Sequence, residues 1–279
     1  MKPRALIIFG VSIIVLIAIF FYWLGGHVAS KKIVIVRKEV AAVVPKVKKP
    51  AMQRFSKSFK NPKVAIVMDD FGYNMKDMDV LLAIKEPVTF SILPDLPYSR
   101  KIAVLARSRG KEVILHMPME SHNSASKEEI DTIKVGMPEK EIKTRLKKGI
   151  DSVPGLTGIS NHTGSKATED KELMMVVLKY LKDANLYFFD SMTSDKSVGG
   201  EVAGSIGLRH AKRDMFLDNI DRPDAIEHEL MDLRKIAFKK GRAISICHDR
   251  KNTINVLSKV LPEMARDGIV FVNLSDMVK

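Results

Sequence analysis

The 279-residue sequence has one cysteine, Cys247, and one tryptophan, Trp23. A single cysteine excludes an intrachain disulfide framework. The fold must therefore rest on a packed core, and a 46% hydrophobic content is enough to build one. Other devices are missing too. No Gly-rich dinucleotide fingerprint follows the first strand-like run, and no phosphate loop ends in Gly-Lys-Ser/Thr, so nucleotide binding by either route has no support. There is no Gly-x-Ser-x-Gly elbow, which argues against a serine esterase. There is no internal repeat. Acids are outnumbered, 33 against 46 Lys and Arg, for a net charge of +13. That excess is local. Residues 31–63 hold eleven Lys or Arg against one acid, Glu39, and with Lys2 and Arg4 they account for all but one unit of it. A nucleic-acid-binding domain would carry the charge on its folded part, so no nucleic-acid partner is expected.

One long apolar run is present, Ala5 to Leu24, with no charge in it. Twenty helical residues span about 30 Å, the hydrocarbon thickness of a bilayer. Signal-peptide cores are shorter, about 7–15 residues. Tyr22 and Trp23 fall where an interfacial aromatic belt would lie. Residues 1–26 are therefore expected to be an uncleaved membrane anchor. Lys2 and Arg4 favour a cytoplasmic N-terminus, while Lys31, Lys32, Arg37 and Lys38 count against it. Long C-terminal domains translocate largely regardless of such charges, so the domain is expected outside the cytoplasm. Residues 27–61 read as a basic Pro/Lys-rich linker whose lysines repel one another and extend it. Residues 62–279 read as one folded domain.

Within that domain, strand-like runs alternate with helical ones. Strands are expected at Val64–Met68, Val88–Leu93, Glu112–Leu115, Gly155–Ser160, Leu186–Phe189, Ser205–Leu208, Ala243–Cys247 and Ile269–Val272. Helices are expected at Met75–Ile84, Ser99–Ser108, Pro138–Ile150, from a Thr168 cap to Asp183, at Arg222–Lys240 and at Thr253–Arg266. Strict alternation predicts an α/β fold with parallel strands, either a barrel or an open doubly wound sheet.

Polar residues of catalytic type follow the last apolar residue of several strands: Asp69, Asp70, His116, His162, Asp190 and His248. In α/β barrels the active site is assembled from these strand ends. An Asp in such a place also makes turns, so no one residue decides the matter. Two histidines with one carboxylate form a common catalytic set for a divalent metal with an open position for water. A further carboxylate and a further histidine can act as base and acid.

At these residues the sequence resembles the divergent polysaccharide deacetylase family, an extracytoplasmic branch related to chitin and peptidoglycan deacetylases. The segments that carry the resemblance are Val64-Ala-Ile-Val-Met-Asp-Asp-Phe-Gly72, His116-Met-Pro-Met-Glu120, Gly158-Ile-Ser-Asn-His-Thr-Gly-Ser165, Phe189-Asp-Ser-Met-Thr193 and Ile246-Cys-His-Asp-Arg250. The resemblance covers about residues 62–279. It implies a distorted seven-stranded (β/α) barrel, a divalent metal, zinc in the first instance, and a glycan substrate. It makes Asp69 the base, His248 the acid, and Asp70 and His116 metal ligands. Glu120 stands where the wider family has its second histidine. The third ligand is then Glu120 or His162, and the Asn-His-x-Gly-Ser segment favours His162. The Arg-x-Pro-Tyr loop of the wider family is absent. Asp190 and Ser191 either orient a ligand or make a turn. Substrate binding by Arg213 and Asp214 is the weaker reading of those two residues.

Three readings follow. The first is a metal-dependent hydrolase removing N-acetyl groups from an envelope glycan. The second is a non-catalytic envelope module that binds glycan or a partner. The third is a glycosidase pairing Asp69 with Glu120, which would need two carboxyls about 5–9 Å apart.

Overall fold

A computed structural model describes residues 59–123 and 128–279. The anchor and linker expected over 1–61 lie outside them, apart from 59–61. Among the described residues no helix is long and apolar enough to cross a membrane.

The elements run β1 (Lys63–Phe71), α1 (Met78–Ala83), β2 (Thr89–Ile92), α2 (Ser99–Ser108), β3 (Val113–Met119), α3 (Glu139–Ser152), β4 (Gly158–Thr163), α4 (Lys171–Asp183), β5 (Tyr187–Asp190), α5 (Gly199–Ser205), β6 (His210–Lys212), β7 (Met215–Phe216), α6 (Pro223–Lys240), β8 (Arg242–His248), α7 (Lys251–Arg266) and β9 (Val270–Phe271). They form one sheet in the order β6-β5-β4-β3-β2-β1-β8-β7, with β9 also paired to β1. Every strand pairing is parallel.

The α/β class is as expected, but the seven-stranded barrel is not. The sheet has nine strands and is curled rather than closed, because the edge strands β6 and β7 are not hydrogen-bonded to each other. Both edges are very short, three and two residues. Short edges limit pairing with other chains. The strand expected at Ser205–Leu208 is also corrected. Ser205 ends α5, Gly207 takes φ 66, and Leu208 N–H donates to the Ala203 carbonyl. Val202, Ala203 and Ile206 follow helical spacing, and the strand begins only at His210. The cap of α4 is Asp170, whose carboxylate accepts from Leu173 N–H at 2.8 Å, rather than Thr168.

Successive side chains on a strand face opposite sides of the sheet. Here the two sides bury different cores. Val64, Ile66, Met68, Phe90, Leu115, Ile159, Phe188 and Cys247 pack among helix residues such as Ile102, Leu146, Leu178 and Leu257. Ala65, Val67, Ile114, Tyr187, Phe189, Ile244 and Ile246 form a second cluster, completed by Leu274 and Met277 from the C-terminal segment. No α-helical residue belongs to this inner cluster. Continuing the same alternation up β1, β3, β4 and β8 leads to Asp69, His116, His162 and His248.

The opposite, N-terminal end of the sheet is tied by one carboxyl. Glu112, just before β3, accepts from Thr89 Oγ1 at 2.9 Å, Thr157 Oγ1 at 2.9 Å, Tyr187 Oη at 3.1 Å and Ser275 N–H at 3.2 Å. It is buried. It thereby joins β2, the approach to β4, β5 and the C-terminal segment. Replacing Glu112 with Ala strands these donors, so a loss of about 3 kcal/mol is expected in urea denaturation. An unchanged midpoint would mean that this network adds no net stability.

Candidate active site

Strand β1 ends in Asp69-Asp70-Phe71, and a regular strand would point its two aspartates to opposite faces. The backbone prevents this. Asp70 has φ 68, and the register of β1 against β2 shifts between Met68 and Phe71. A bulge of this kind re-aims a side chain. As a result both carboxylates reach the same imidazole: His116 Nε2 lies 3.5 Å from Asp69 Oδ2 and 3.5 Å from Asp70 Oδ1. The chain then turns through Gly72 at φ 134, where a Cβ would sit 2.8 Å from Ser99 Oγ. Only glycine tolerates that backbone and that contact.

His162 enters from β4, with Nδ1 3.1 Å from Asp70 Oδ1. Its ring meets that of His116 edge-on, centroids 4.9 Å apart. One ligand-type atom from each of Asp70, His116 and His162 lies within 4.8 Å of the other two. Around a tetrahedral metal with bonds of about 2 Å, ligand atoms lie roughly 3.3 Å apart. The measured 3.1 and 3.5 Å edges suit such an ion. The cluster also has the two-imidazole, one-carboxylate composition of catalytic metal sites. Burial would raise the Asp70 carboxyl, but hydrogen bonds from His116 and His162 outweigh it and hold the group well below the usual carboxylate range. The other edge of His116 is fixed, with Nδ1 2.7 Å from Ser160 Oγ, which lies 2.9 Å from Ser91 Oγ. Both serines are buried. Such outer contacts set the ring orientation and tautomer of a ligating histidine.

Glu120 goes elsewhere. Its carboxylate accepts from Val135 N–H and Lys166 Nζ, each at 2.8 Å, and is not part of the cluster. Burial would raise it, but these partners hold it below its ordinary value.

Asp69 and His248 stand side by side in the pairing of β1 with β8. Burial pushes the Asp69 carboxyl up, against the opposing influence of His116. Its Oδ1 is buried without a hydrogen-bond partner. His248 Nδ1 lies 2.8 Å from Asp218 Oδ1, and the second oxygen of Asp218 accepts from His248 N–H and Thr253 Oγ1, each at 2.8 Å. Burial lowers the imidazole, but Asp218 outweighs it and the group sits above its ordinary value. Next along the chain, Asp249 is pushed up to about 6 by burial and by the nearby Asp77 and Asp70.

Asp218 is fully buried and escapes the sequence reading. It follows Met215-Phe216-Leu217, a strand-end pattern in miniature. A two-residue strand shows no periodicity by which to find it. Asp190 and Ser191 are not hydrogen-bonded to the cluster. Asp190 accepts from Met192 N–H at 2.8 Å and Ser197 Oγ at 2.6 Å, the turn role among its two readings. Ser191 N–H donates to Asn161 Oδ1 at 2.9 Å, tying the ends of β4 and β5 together. Asp214 accepts from Ile244 N–H and Lys240 Nζ, each at 2.9 Å, in a structural role.

Comparison with known proteins gives the family and the fold. A protein of Haemophilus influenzae is 35% identical over 210 residues, 75% of each chain. The Escherichia coli K12 protein YibQ is 32% identical over 216 residues, 77% of this chain and 67% of its own. The crystal structure of ATU2773 from Agrobacterium tumefaciens C58 superposes with a TM-score of 0.75 at 25% identity, over 79% of this chain and 90% of that one. The fold also extends to the Bc1960 peptidoglycan N-acetylglucosamine deacetylase, at a TM-score of 0.52 and 16% identity over 80% and 91% of the two chains. The sequence pattern of the divergent polysaccharide deacetylases matches residues 66–278. The chain belongs to the divergent polysaccharide deacetylase family.

Proposed function

We propose that the chain is a metal-dependent hydrolase that removes N-acetyl groups from an envelope polysaccharide or peptidoglycan-type glycan, outside the cytoplasm. The observation that carries this reading is the meeting of two sets of residues at one end of the sheet. Asp70, His116 and His162 would hold a divalent metal, zinc in the first instance. When bound, such a metal polarises the acetamide carbonyl and lowers the pKa of the attacking water.

The chain's own residues do the rest. Asp69 takes the proton of the attacking water, and its free Oδ1 and raised pKa suit a base. His248 has Nδ1 committed to Asp218, which leaves Nε2 to protonate the departing amine. The raised pKa favours its protonated form. Burial of Asp69 and His116 keeps bulk water from competing at these groups. A pure glycan binder needs no such acid and base. A glycosidase pairing Asp69 with Glu120 is disfavoured, because Lys166 and Val135 already engage Glu120.

Elemental mass spectrometry of the full-length protein should find near-stoichiometric metal that is lost in His116→Ala and His162→Ala and kept in Glu120→Ala. Retention of metal in His162→Ala would move the third ligand to Glu120. With metal retained, Asp69→Asn and His248→Ala should each slow acetate release from N-acetylated glycan by about 10²–10⁴-fold. Activity should fall as pH rises through the His248 pKa. Asp218→Asn removes the anion that raises that pKa, so the alkaline limb should move to lower pH. Absence of acetate release from N-acetylated oligosaccharides by the metal-loaded protein would overturn the reading.

A further inference from the structure

Arg213 lies in the two-residue connection between β6 and β7, on the side where the sheet is not joined by backbone hydrogen bonds. It holds three consecutive carbonyls at the end of β5 and just beyond it. Its N–H donates to Asp190 O at 3.1 Å, Nε to Ser191 O at 2.8 Å, and Nη2 to Met192 O at 2.8 Å. Met192 sits at φ 51, a backbone that a non-glycine residue adopts at a cost. The turn is thus held in place rather than relaxed. The guanidinium carbon also lies 3.7 Å from the centroid of the Phe216 ring. Phe216 in turn stacks on His248, with centroids 5.8 Å apart and planes 16° from parallel.

His248 is therefore held at two places. Asp218 fixes the Nδ1 edge, and among the described residues no other hydrogen bond reaches the ring. The stack on Phe216 is a second restraint on its plane, and Arg213 lies over Phe216. We infer that Arg213 and Phe216 are positioning residues that hold the His248 imidazole beside Asp69, coupling the turn after β5 to the proposed acid. The inference rests on the reading of His248 as the proton donor. A direct substrate-binding role for Arg213 fits less well, because Nε and Nη2 are committed to carbonyls and the guanidinium lies against Phe216.

The test uses full-length protein loaded with metal, with Arg213→Ala, Arg213→Lys, Phe216→Leu, Phe216→Tyr and the Arg213→Ala/Phe216→Leu double variant. The first readout is the NMR position of the His248 ring protons, which the Phe216 ring current displaces whether or not the protein turns over. Arg213→Ala, Arg213→Lys and Phe216→Leu should each shift these resonances, and Phe216→Tyr should restore them. Lysine cannot span two carbonyls and cover a ring at once. The second readout is kinetic. Arg213→Ala and Phe216→Leu should each lower kcat about tenfold with KM within about twofold and metal content unchanged, and the double variant should be no worse than the poorer single one. Unmoved His248 resonances in Arg213→Ala, a raised KM at constant kcat, or multiplicative losses would each overturn the inference. If Arg213→Ala does not fold, the Phe216 pair and Arg213→Lys decide it. If the wild type releases no acetate, the proposed function fails, and the NMR readout still decides whether Arg213 and Phe216 position His248.

Discussion

The left-handed backbone at Asp70 is the constraint on which the rest of the site depends. Without it, neighbouring residues on β1 would face opposite sides of the sheet, and one aspartate would point toward the helices. A single residue at φ 68 puts both carboxylates on His116. Such a backbone costs about 1–2 kcal/mol for a residue with a side chain. The pairing of Asp70 with two imidazoles opposes that cost. The two aspartates then part company electrostatically. Asp70 is held low by its histidines, while the more deeply buried Asp69 is pushed up. Two adjacent residues of one type thus acquire the contrasting properties expected of a ligand and a base.

The curled parallel sheet places its polar groups by end. At the C-terminal end lie the two aspartates, His116, His162 and His248. At the N-terminal end Glu112 gathers hydroxyls and an amide into one structural knot. Between them the inner face is apolar, filled by Val67, Ile114, Phe189 and Ile246 with Leu274 and Met277 from the chain's last residues. The open side between β6 and β7 lacks a backbone ladder, and Arg213 spans part of it with side-chain and main-chain donors.

Much of this was legible from residue order. Alternating apolar runs gave the parallel α/β class, and most strands lie within a few residues of their expected bounds. The errors share a cause. Ser205–Leu208 is apolar and short, and in four residues strand and helix periods cannot be told apart. Strands of two or three residues, β6, β7 and β9, are defined by their partners rather than by their own pattern, so neither the strand count nor the open edge could be read in advance. Asp218 was missed for the same reason, since it follows a strand of two residues.

The sequence alone determined which residue types stand at the strand ends, and hence which chemistry is available: carboxylates and imidazoles, and no phosphate loop. It did so because strand alternation and element order are local properties. The choice between His162 and Glu120 as neighbour of Asp70 and His116 was decided only by tertiary structure. Both follow strands, and both could coordinate. What separates them is the set of non-local partners, Lys166 and Val135 for Glu120 and Asp70 for His162. The setting of His248 is likewise a tertiary property, because Asp218 and Phe216 meet its ring from 30 or more residues away in sequence.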